Sequence, residues 1–160
     1  MYKTRNSLPE EQRAKLVELL NRRLADSIDL MLQAKEAHWN VKGPQFITLH
    51  DLFGQIAHSV EEYVDLLAER VVQLGGDAQG TAYTVTRRTS LARYPLEIAD
   101  GNGHTEALAT VLASFGNHVR YAIGQATDLR DADSADIFTE ISRGADSWLW
   151  LVEAHLQATQ

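Results

Sequence analysis

Two histidines and two carboxylates are the side chains of this sequence whose types and spacing best suit metal chemistry. Asp65 and Glu69 are four residues apart, so on a helix they present two carboxylates to a cation from one face. His38 and His50 supply imidazole nitrogens nearer the N-terminus. The chain has no cysteine, so a metal must be held by histidine, carboxylate, carbonyl or water, and these ligands suit iron, manganese or zinc.

The spacing of His50 and Asp65 prevents one subunit from completing such a site. The two residues are fifteen positions apart on one predicted helix. They are therefore separated by about 60° around the helix axis and by about 22 Å along it. Two ligands of one metal must bring their atoms within roughly 4 to 5 Å of each other. A second copy of the chain is therefore needed.

Two copies complete the site if their second helices pack antiparallel about a two-fold axis. Positions whose numbers sum to 115 then face each other, so His50 of one chain lies opposite Asp65 of the other, and the axis passes near residues 57 and 58. Each of two identical sites has histidines from one subunit and carboxylates from its partner. The alternative is that the histidines cap or pack a helix and that the carboxylates belong to a solvated face. No Glu-x-x-His pair occurs, which argues against a di-iron site within one subunit.

The periodicity of the apolar residues predicts an all-α protein with four long helices. These helices are expected at about Pro9–Trp39, Ile47–Leu74, Thr105–Thr127 and Ser134–Leu156. Between the second and third, the irregular residues 75–104 predict a long crossover with one short extra helix around residues 90–98. One long connection among four helices is typical of a ferritin-like four-helix bundle.

Length and charge narrow the classes of function. With 160 residues and 44% hydrophobic content, residues 1–160 are expected to form one domain, in which residues 1–8 are a short N-terminal tail. No apolar run reaches the roughly 18 residues that span a bilayer, so the chain is expected in the cytoplasm, with association with the nucleoid left open. The net charge of −7 opposes binding to nucleic acid, and only Lys3 and Arg5 precede the first proline.

Four stretches are similar to segments of the Dps family of mini-ferritins, the DNA-binding proteins from starved cells. They are HWNVKGPQFITLH, DLLAERVVQLGG, YPLEI and ADIFTEISRGADSWLWLVEAHLQ, and the resemblance covers nearly the whole chain. It implies a hollow dodecamer built from two-fold dimers, with ferroxidase centres shared between subunits. These centres would oxidise Fe(II) with hydrogen peroxide, the preferred oxidant, or with O2. Storage of the ferric mineral would protect against oxidative damage.

The resemblance also assigns the site residue by residue. His38 and His50 match the histidine ligands, Asp65 and Glu69 match the carboxylate ligands, and Trp39 matches an aromatic side chain beside the centre. These four ligands would be the catalytic residues, and zinc is expected as a competing metal.

Gly54 departs from the family pattern, which usually has Asp four residues after the second histidine. The departure leaves open whether one or two irons bind. Under the 115 pairing the partner's Glu61 faces Gly54, so Glu61 or Glu62 could supply a replacement oxygen, with water as the alternative. On the sequence alone, Gly54→Asp is expected to raise metal affinity and to recover helix propensity.

An acidic run precedes the fourth predicted helix and comprises Asp128, Asp131, Asp133 and Asp136. Carboxylates at a helix N-terminus are stabilised by the helix dipole, which is one sufficient explanation. The resemblance implies another, a three-fold pore through which Fe(II) enters, because clustered like charge raises the local cation concentration.

The four other histidines are expected to have no role as ligands. His58 falls near the predicted two-fold axis and is expected at a dimer contact, whereas His155 is expected to pack against neighbouring helices. His104 and His118 have no partner spacing and are expected at the exposed surface.

Three functions remain in competition: a ferroxidase and iron store, a DNA-compacting nucleoid protein, and a structural cage with an impaired metal site. The ligand set favours the first. DNA binding is expected to be weak or absent, because Lys3 and Arg5 make only a weak basic patch.

Overall fold

Four long helices and one short helix make up the computed structural model, which describes residues 1–157. The helices are α1 (Glu10–Asn40), α2 (Phe46–Gln73), α3 (Ala82–Arg88), α4 (Gly101–Asp128) and α5 (Ala132–Gln157). Within the described residues there is no strand. α1 packs chiefly on α2, and α4 packs chiefly on α5. Residues 41–45 and 129–131 are short connections, so each pair is antiparallel, and the predicted four-helix bundle is confirmed.

Apolar side chains from all four long helices meet in one core. Phe53 of α2, Phe115 of α4 and Phe138 of α5 are fully buried there, together with leucines of α1 such as Leu16 and Leu20. Burying each of these side chains stabilises the fold by about 1.5–3 kcal/mol. No helix in the part of the chain that the structure describes is both long enough and apolar enough to cross a membrane.

The turn between α1 and α2 brings the end of one helix beside the start of the next. The Val41 amide donates to the Ala37 carbonyl at 3.0 Å, and the Phe46 amide donates to the Gly43 carbonyl at 3.0 Å. Gly43 has φ +108°, a conformation that strongly favours glycine. The Val41 side chain is buried, which fixes the turn against the core. Residues just before and just after the turn therefore become neighbours.

The crossover carries its short helix at residues 82–88, so the prediction of a helix at residues 90–98 is wrong. Ser90 instead donates to the buried carboxylate of Asp26, from its amide at 2.8 Å and from its hydroxyl at 3.0 Å. Arg23 pairs with the same carboxylate at 2.9 Å. These contacts fix the backbone at Ser90, and Pro95 has no amide proton for a helical hydrogen bond. The segment therefore stays irregular. The side chain of Val85 is buried, and this packing favours a helix at residues 82–88, earlier in the crossover.

α4 begins at Gly101, four residues before the predicted start. The side chain of Asp100 accepts a hydrogen bond from the Gly103 amide at 2.8 Å and so caps the helix. A Cβ at position 101 would lie 2.7 Å from Cδ1 of Leu49, so glycine allows the first turn of α4 to approach α2 closely. A larger side chain at position 101 would require the Leu49 side chain to move.

Candidate metal centre

His38 and His50 hold each other in place across the turn between α1 and α2. Nδ1 of His38 lies 2.6 Å from the carbonyl oxygen of His50, and Nδ1 of His50 lies 2.8 Å from the carbonyl oxygen of His38. The two rings stack, with centroids 3.7 Å apart and an interplanar angle of 24°. Both side chains are half-buried, so the pair is packed against the protein while remaining accessible.

These hydrogen bonds decide which nitrogen of each ring carries the proton. A carbonyl oxygen can only accept, so each Nδ1 must be the N–H donor. In the neutral rings, both Nε2 atoms therefore have free lone pairs. Backbone carbonyls that orient metal-binding histidines in this way are common in proteins, and they also fix the direction of the ring. The pair is thus prepared to bind a metal through two Nε2 atoms.

The end of α1 supplies one of these acceptors without disturbing the helix. The last four carbonyls of an α-helix have no partner within it, and His38 lies two residues before the end of α1. Its carbonyl is therefore free to accept from His50. Phe46 lies beside the pair, with its ring centroid 5.1 Å from that of His50. Trp39 is 64% exposed, so an apolar surface adjoins the histidines at the end of α1.

The predicted carboxylate ligands lie further along α2 than His50. Asp65 and Glu69 are both exposed, as are Glu61 and Glu62 one turn earlier. Glu61 approaches His58 at 3.8 Å in an exposed contact. Among residues 1–157, no group of three or more His, Asp or Glu side chains is close enough to hold a metal ion. One subunit therefore keeps the predicted histidine ligands apart from the predicted carboxylate ligands.

Comparison with known proteins identifies the family. A family profile described as "Ferritin-like domain" matches residues 17–160. The "DNA protection during starvation protein" of Agrobacterium fabrum is 42% identical over 156 residues, which cover 98% of this chain and 96% of the relative. The chain is a ferritin-like protein of the Dps family. Its structure agrees, because Mycobacterium smegmatis Dps superposes with a TM-score of 0.93 at 29% identity, over 98% of this chain and 95% of that one. DpsA14 from Streptomyces coelicolor superposes with a TM-score of 0.93 at 32% identity, over 99% of this chain and 93% of that one.

The acidic run of this Dps-family chain divides into exposed and buried members. Asp128, Asp133 and Asp136 are exposed, whereas Asp131 is only 4% exposed. Arg70 of α2 binds Asp131 through both carboxylate oxygens, at 2.8 and 3.0 Å. Asp131 therefore fastens the α4–α5 connection to α2 and does not join the exposed acidic surface.

Two histidines of the Dps chain lie where the sequence did not place them. His104 is 3% exposed, and its Nδ1 lies 2.7 Å from the Tyr94 hydroxyl. His118 is half-buried and lies 3.6 Å from the buried carboxylate of Asp26. The expectation that both histidines are exposed is wrong. His58 is exposed on α2, and His155 is half-buried on α5.

Burial changes the proton affinity of the Tyr94–His104 pair. It lowers the pKa of His104, because the charged ring loses its hydration, and it raises the pKa of Tyr94 for the corresponding reason. The backbone of Asn40 partly opposes the shift of His104, although the buried Nε2 makes no hydrogen bond of normal geometry. The pair joins the crossover to the first turn of α4, close to the end of α1.

Proposed function

We propose that this Dps-family protein is a ferroxidase and iron store whose oxidation centres are each shared between two subunits. His38 and His50 of one subunit bind Fe(II) together with the partner subunit's Asp65 and Glu69. The ferric product collects as mineral inside a hollow oligomer, a dodecamer built from two-fold dimers. Hydrogen peroxide is the preferred oxidant, and O2 is the alternative.

The observation that carries this proposal is the reciprocal pair of hydrogen bonds between His38 and His50. It leaves two Nε2 atoms free, whereas a stable iron site needs more ligands than two imidazoles. Asp65 and Glu69 form an exposed carboxylate pair at one-turn spacing on α2, and Asp65 lies about 22 Å further along that helix than His50. An antiparallel α2 from a second subunit brings these two carboxylates to the histidines.

The reaction proposed for such a centre conserves atoms, electrons and charge. Two ferrous ions each give up one electron, and the O–O bond of one hydrogen peroxide molecule breaks as it takes up both electrons. Two ferric ions and two hydroxide ions result. The protein supplies ligands that favour Fe(III), because anionic oxygen ligands stabilise the higher charge. The histidines and carboxylates also suit zinc, so zinc should compete with Fe(II) and inhibit.

Compaction of DNA is a weaker candidate for this chain. The N-terminal segment that carries Lys3 and Arg5 is fastened to the end of α2, because the Tyr2 amide donates to the Gly75 carbonyl at 2.6 Å. Arg13 of α1 donates both to the Leu8 carbonyl at 3.1 Å and to the Leu74 carbonyl at 2.8 Å, so it also links this segment to the end of α2. Two basic residues on a fastened segment offer few phosphate contacts against a net charge of −7.

Subunit mixing tests the shared centre. One chain carries His38→Ala and His50→Ala, and the other carries Asp65→Ala and Glu69→Ala, so each homodimer lacks every complete site. In a mixed dimer, the second chain still offers both histidines and the first still offers both carboxylates, which makes one of two sites whole. Random refolding makes half of the dimers mixed, so about a quarter of wild-type ferrous oxidation should return.

A matched control for the mixing experiment is the chain with Glu10→Ala and Glu153→Ala, which loses two exposed carboxylates elsewhere. This control should oxidise Fe(II) at the wild-type rate by itself. Mass spectrometry must show that mixed dimers have formed. Mixed dimers with no more oxidation than the two parent variants would refute the shared centre.

A further inference from the structure

Gly54 is a helical glycine that no backbone requirement explains. It lies in the interior of α2, one turn after His50. The glycines with positive φ are Gly43 and Gly75, and Gly54 is not among them. Glycine lowers helix stability relative to alanine, so an ordinary helix would gain from a side chain at this position.

The space beside Gly54 is occupied by the ring of His38. A Cβ built on Gly54 would lie 3.0 Å from Nδ1 and 3.1 Å from Cε1 of that ring, closer than the ordinary contact range of 3.4–4 Å. Nδ1 is also the atom that donates to the His50 carbonyl at 2.6 Å. A side chain at position 54 would therefore push on the atom that holds the two histidines together.

We propose that Gly54 is a positioning residue of the metal centre, whose missing side chain reserves the space in which the His38 ring lies. The inference rests on the proposed function for its metal chemistry, and on the contacts around His38 for its geometry. A Cβ at position 54 would require the His38 ring to move by a few tenths of an ångström from its present stacked position. The chain thus presents its stacked pair of imidazoles beside a glycine, whereas an aspartate on α2 would shift the His38 ring.

This relationship reverses the expectation drawn from the sequence for Gly54→Asp. The new carboxylate would bring an oxygen to α2, but its Cβ would press on the His38 ring, whose Nδ1 donates to the His50 carbonyl. Imidazole nitrogen favours metals such as cobalt and zinc, whereas carboxylate oxygen favours manganese. The substitution should therefore change which metal the centre prefers and should not simply strengthen binding.

A double-mutant cycle on the metal-free oligomer tests the geometry directly. The variants are Gly54→Ala, His38→Ala and the two combined, and the measurement is the midpoint of thermal unfolding in the presence of a chelator. Gly124 of α4 is the matched control, because a Cβ there would meet no atom within 4 Å. Gly124→Ala should raise the midpoint by about 2–4 °C whether or not His38 is present. Gly54→Ala should give such a rise only when His38 has been replaced.

The opposite pattern overturns the proposal. If Gly54→Ala raises the midpoint equally with and without His38, the ring does not depend on the glycine. Should Gly54→Ala fail to fold, recovery of folding by His38→Ala in the same chain is the expected result. Failure of the combined variant as well would also refute the proposal. None of these outcomes depends on metal, so they are separate from the subunit-mixing test of the shared centre.

Metal titration provides a readout that a purely structural role would not change. Wild-type, Gly54→Asp and Gly124→Asp oligomers are titrated calorimetrically with Co(II) and with Mn(II). Loss of an oriented imidazole should weaken Co(II) binding relative to Mn(II) by about 10-fold or more in Gly54→Asp. Gly124→Asp should keep the wild-type ratio. An unchanged ratio in Gly54→Asp, or a stronger preference for Co(II), would show that Gly54 does not position His38.

Discussion

Arg70 and Asp131, sixty-one residues apart in the sequence, form a buried ion pair that joins α2 to the connection between α4 and α5. The guanidinium is 8% exposed and the carboxylate 4% exposed, and Nε of Arg70 also donates to the Ser134 hydroxyl at 3.2 Å. Arg70 makes a second, outer contact with Asp133 at 3.5 Å, whose side chain is 78% exposed. One cation therefore has a buried partner and a solvated partner.

Replacing the buried partner should destabilise the protein far more than replacing the solvated one. Asp131→Ala leaves the buried Arg70 charge with only its solvated partner Asp133, so the free energy of unfolding should fall by about 3–5 kcal/mol. Asp133→Ala removes an exposed pairing worth about 1 kcal/mol or less. Denaturant unfolding of both variants measures the difference. Equal effects would mean that Asp131 is not the residue that fastens this connection.

The exposed acidic residues should act on iron entry and leave stability nearly unchanged. If Asp128, Asp133 and Asp136 line a pore, replacing all three with Asn should slow the appearance of mineral at low ionic strength, because the local cation concentration falls. The difference should shrink as salt screens the charges. The control replaces Glu10, Glu11 and Glu153 with Gln, which removes three exposed charges elsewhere. Equal uptake by the two triple variants would remove the pore interpretation.

Metal should bind the histidines only through Nε2. Because each Nδ1 donates to a carbonyl, binding there would require breaking a hydrogen bond between α1 and α2. Anomalous diffraction from cobalt-soaked crystals of the oligomer should place the metal on the Nε2 side of both His38 and His50. A metal position within bonding distance of either Nδ1 would contradict the assigned tautomers.

His104 should make the fold sensitive to acid. Burial lowers its pKa in the folded state below the ordinary value of 6.5, so the unfolded chain binds more protons below that pH. The stabilisation from the neutral buried ring is fully present above about pH 6.5 and is lost as the pH falls towards the folded-state pKa. His104→Gln should therefore narrow the gap in unfolding free energy between pH 8 and pH 5. A gap as wide as that of the wild type would assign the acid sensitivity to other groups.

Duplex DNA should not be retarded by this protein in a gel at neutral pH and about 0.1 M salt. The negative net charge and the fastened N-terminal segment both oppose phosphate binding. A clear shift under these conditions would show that the oligomer presents a basic surface that one subunit does not reveal.

The sequence predicted the architecture well because the evidence for it is local. Apolar residues at helical spacing lie along each long helix, and glycines and prolines mark the turns. The separation of the histidines from the carboxylates within one chain could also be predicted, because the rise of a helix fixes the distance between His50 and Asp65. Whether a second subunit joins the two halves remains a prediction.

The contacts that the sequence did not reveal join partners distant in sequence. Asp131 is buried by Arg70, and Ser90 is held by Asp26, sixty-four residues earlier. His104 has no partner at helical spacing and was therefore expected to be exposed, but the Tyr94 hydroxyl of the crossover lies 2.7 Å from its Nδ1. A periodic pattern contains no information about such pairs, because each member alone is an ordinary polar residue.

The separation of the two half-sites within a chain has a consequence for protein synthesis. A newly made subunit that has not found its partner holds no group of three metal-binding side chains in residues 1–157. Under the proposed function, such a subunit offers no complete centre for the oxidation of Fe(II) by peroxide, so catalysed oxidation begins only when a partner is present. Assembly of the oligomer would then control when iron is oxidised, because the complete oxidation centre and the cavity that stores the ferric mineral form in the same step.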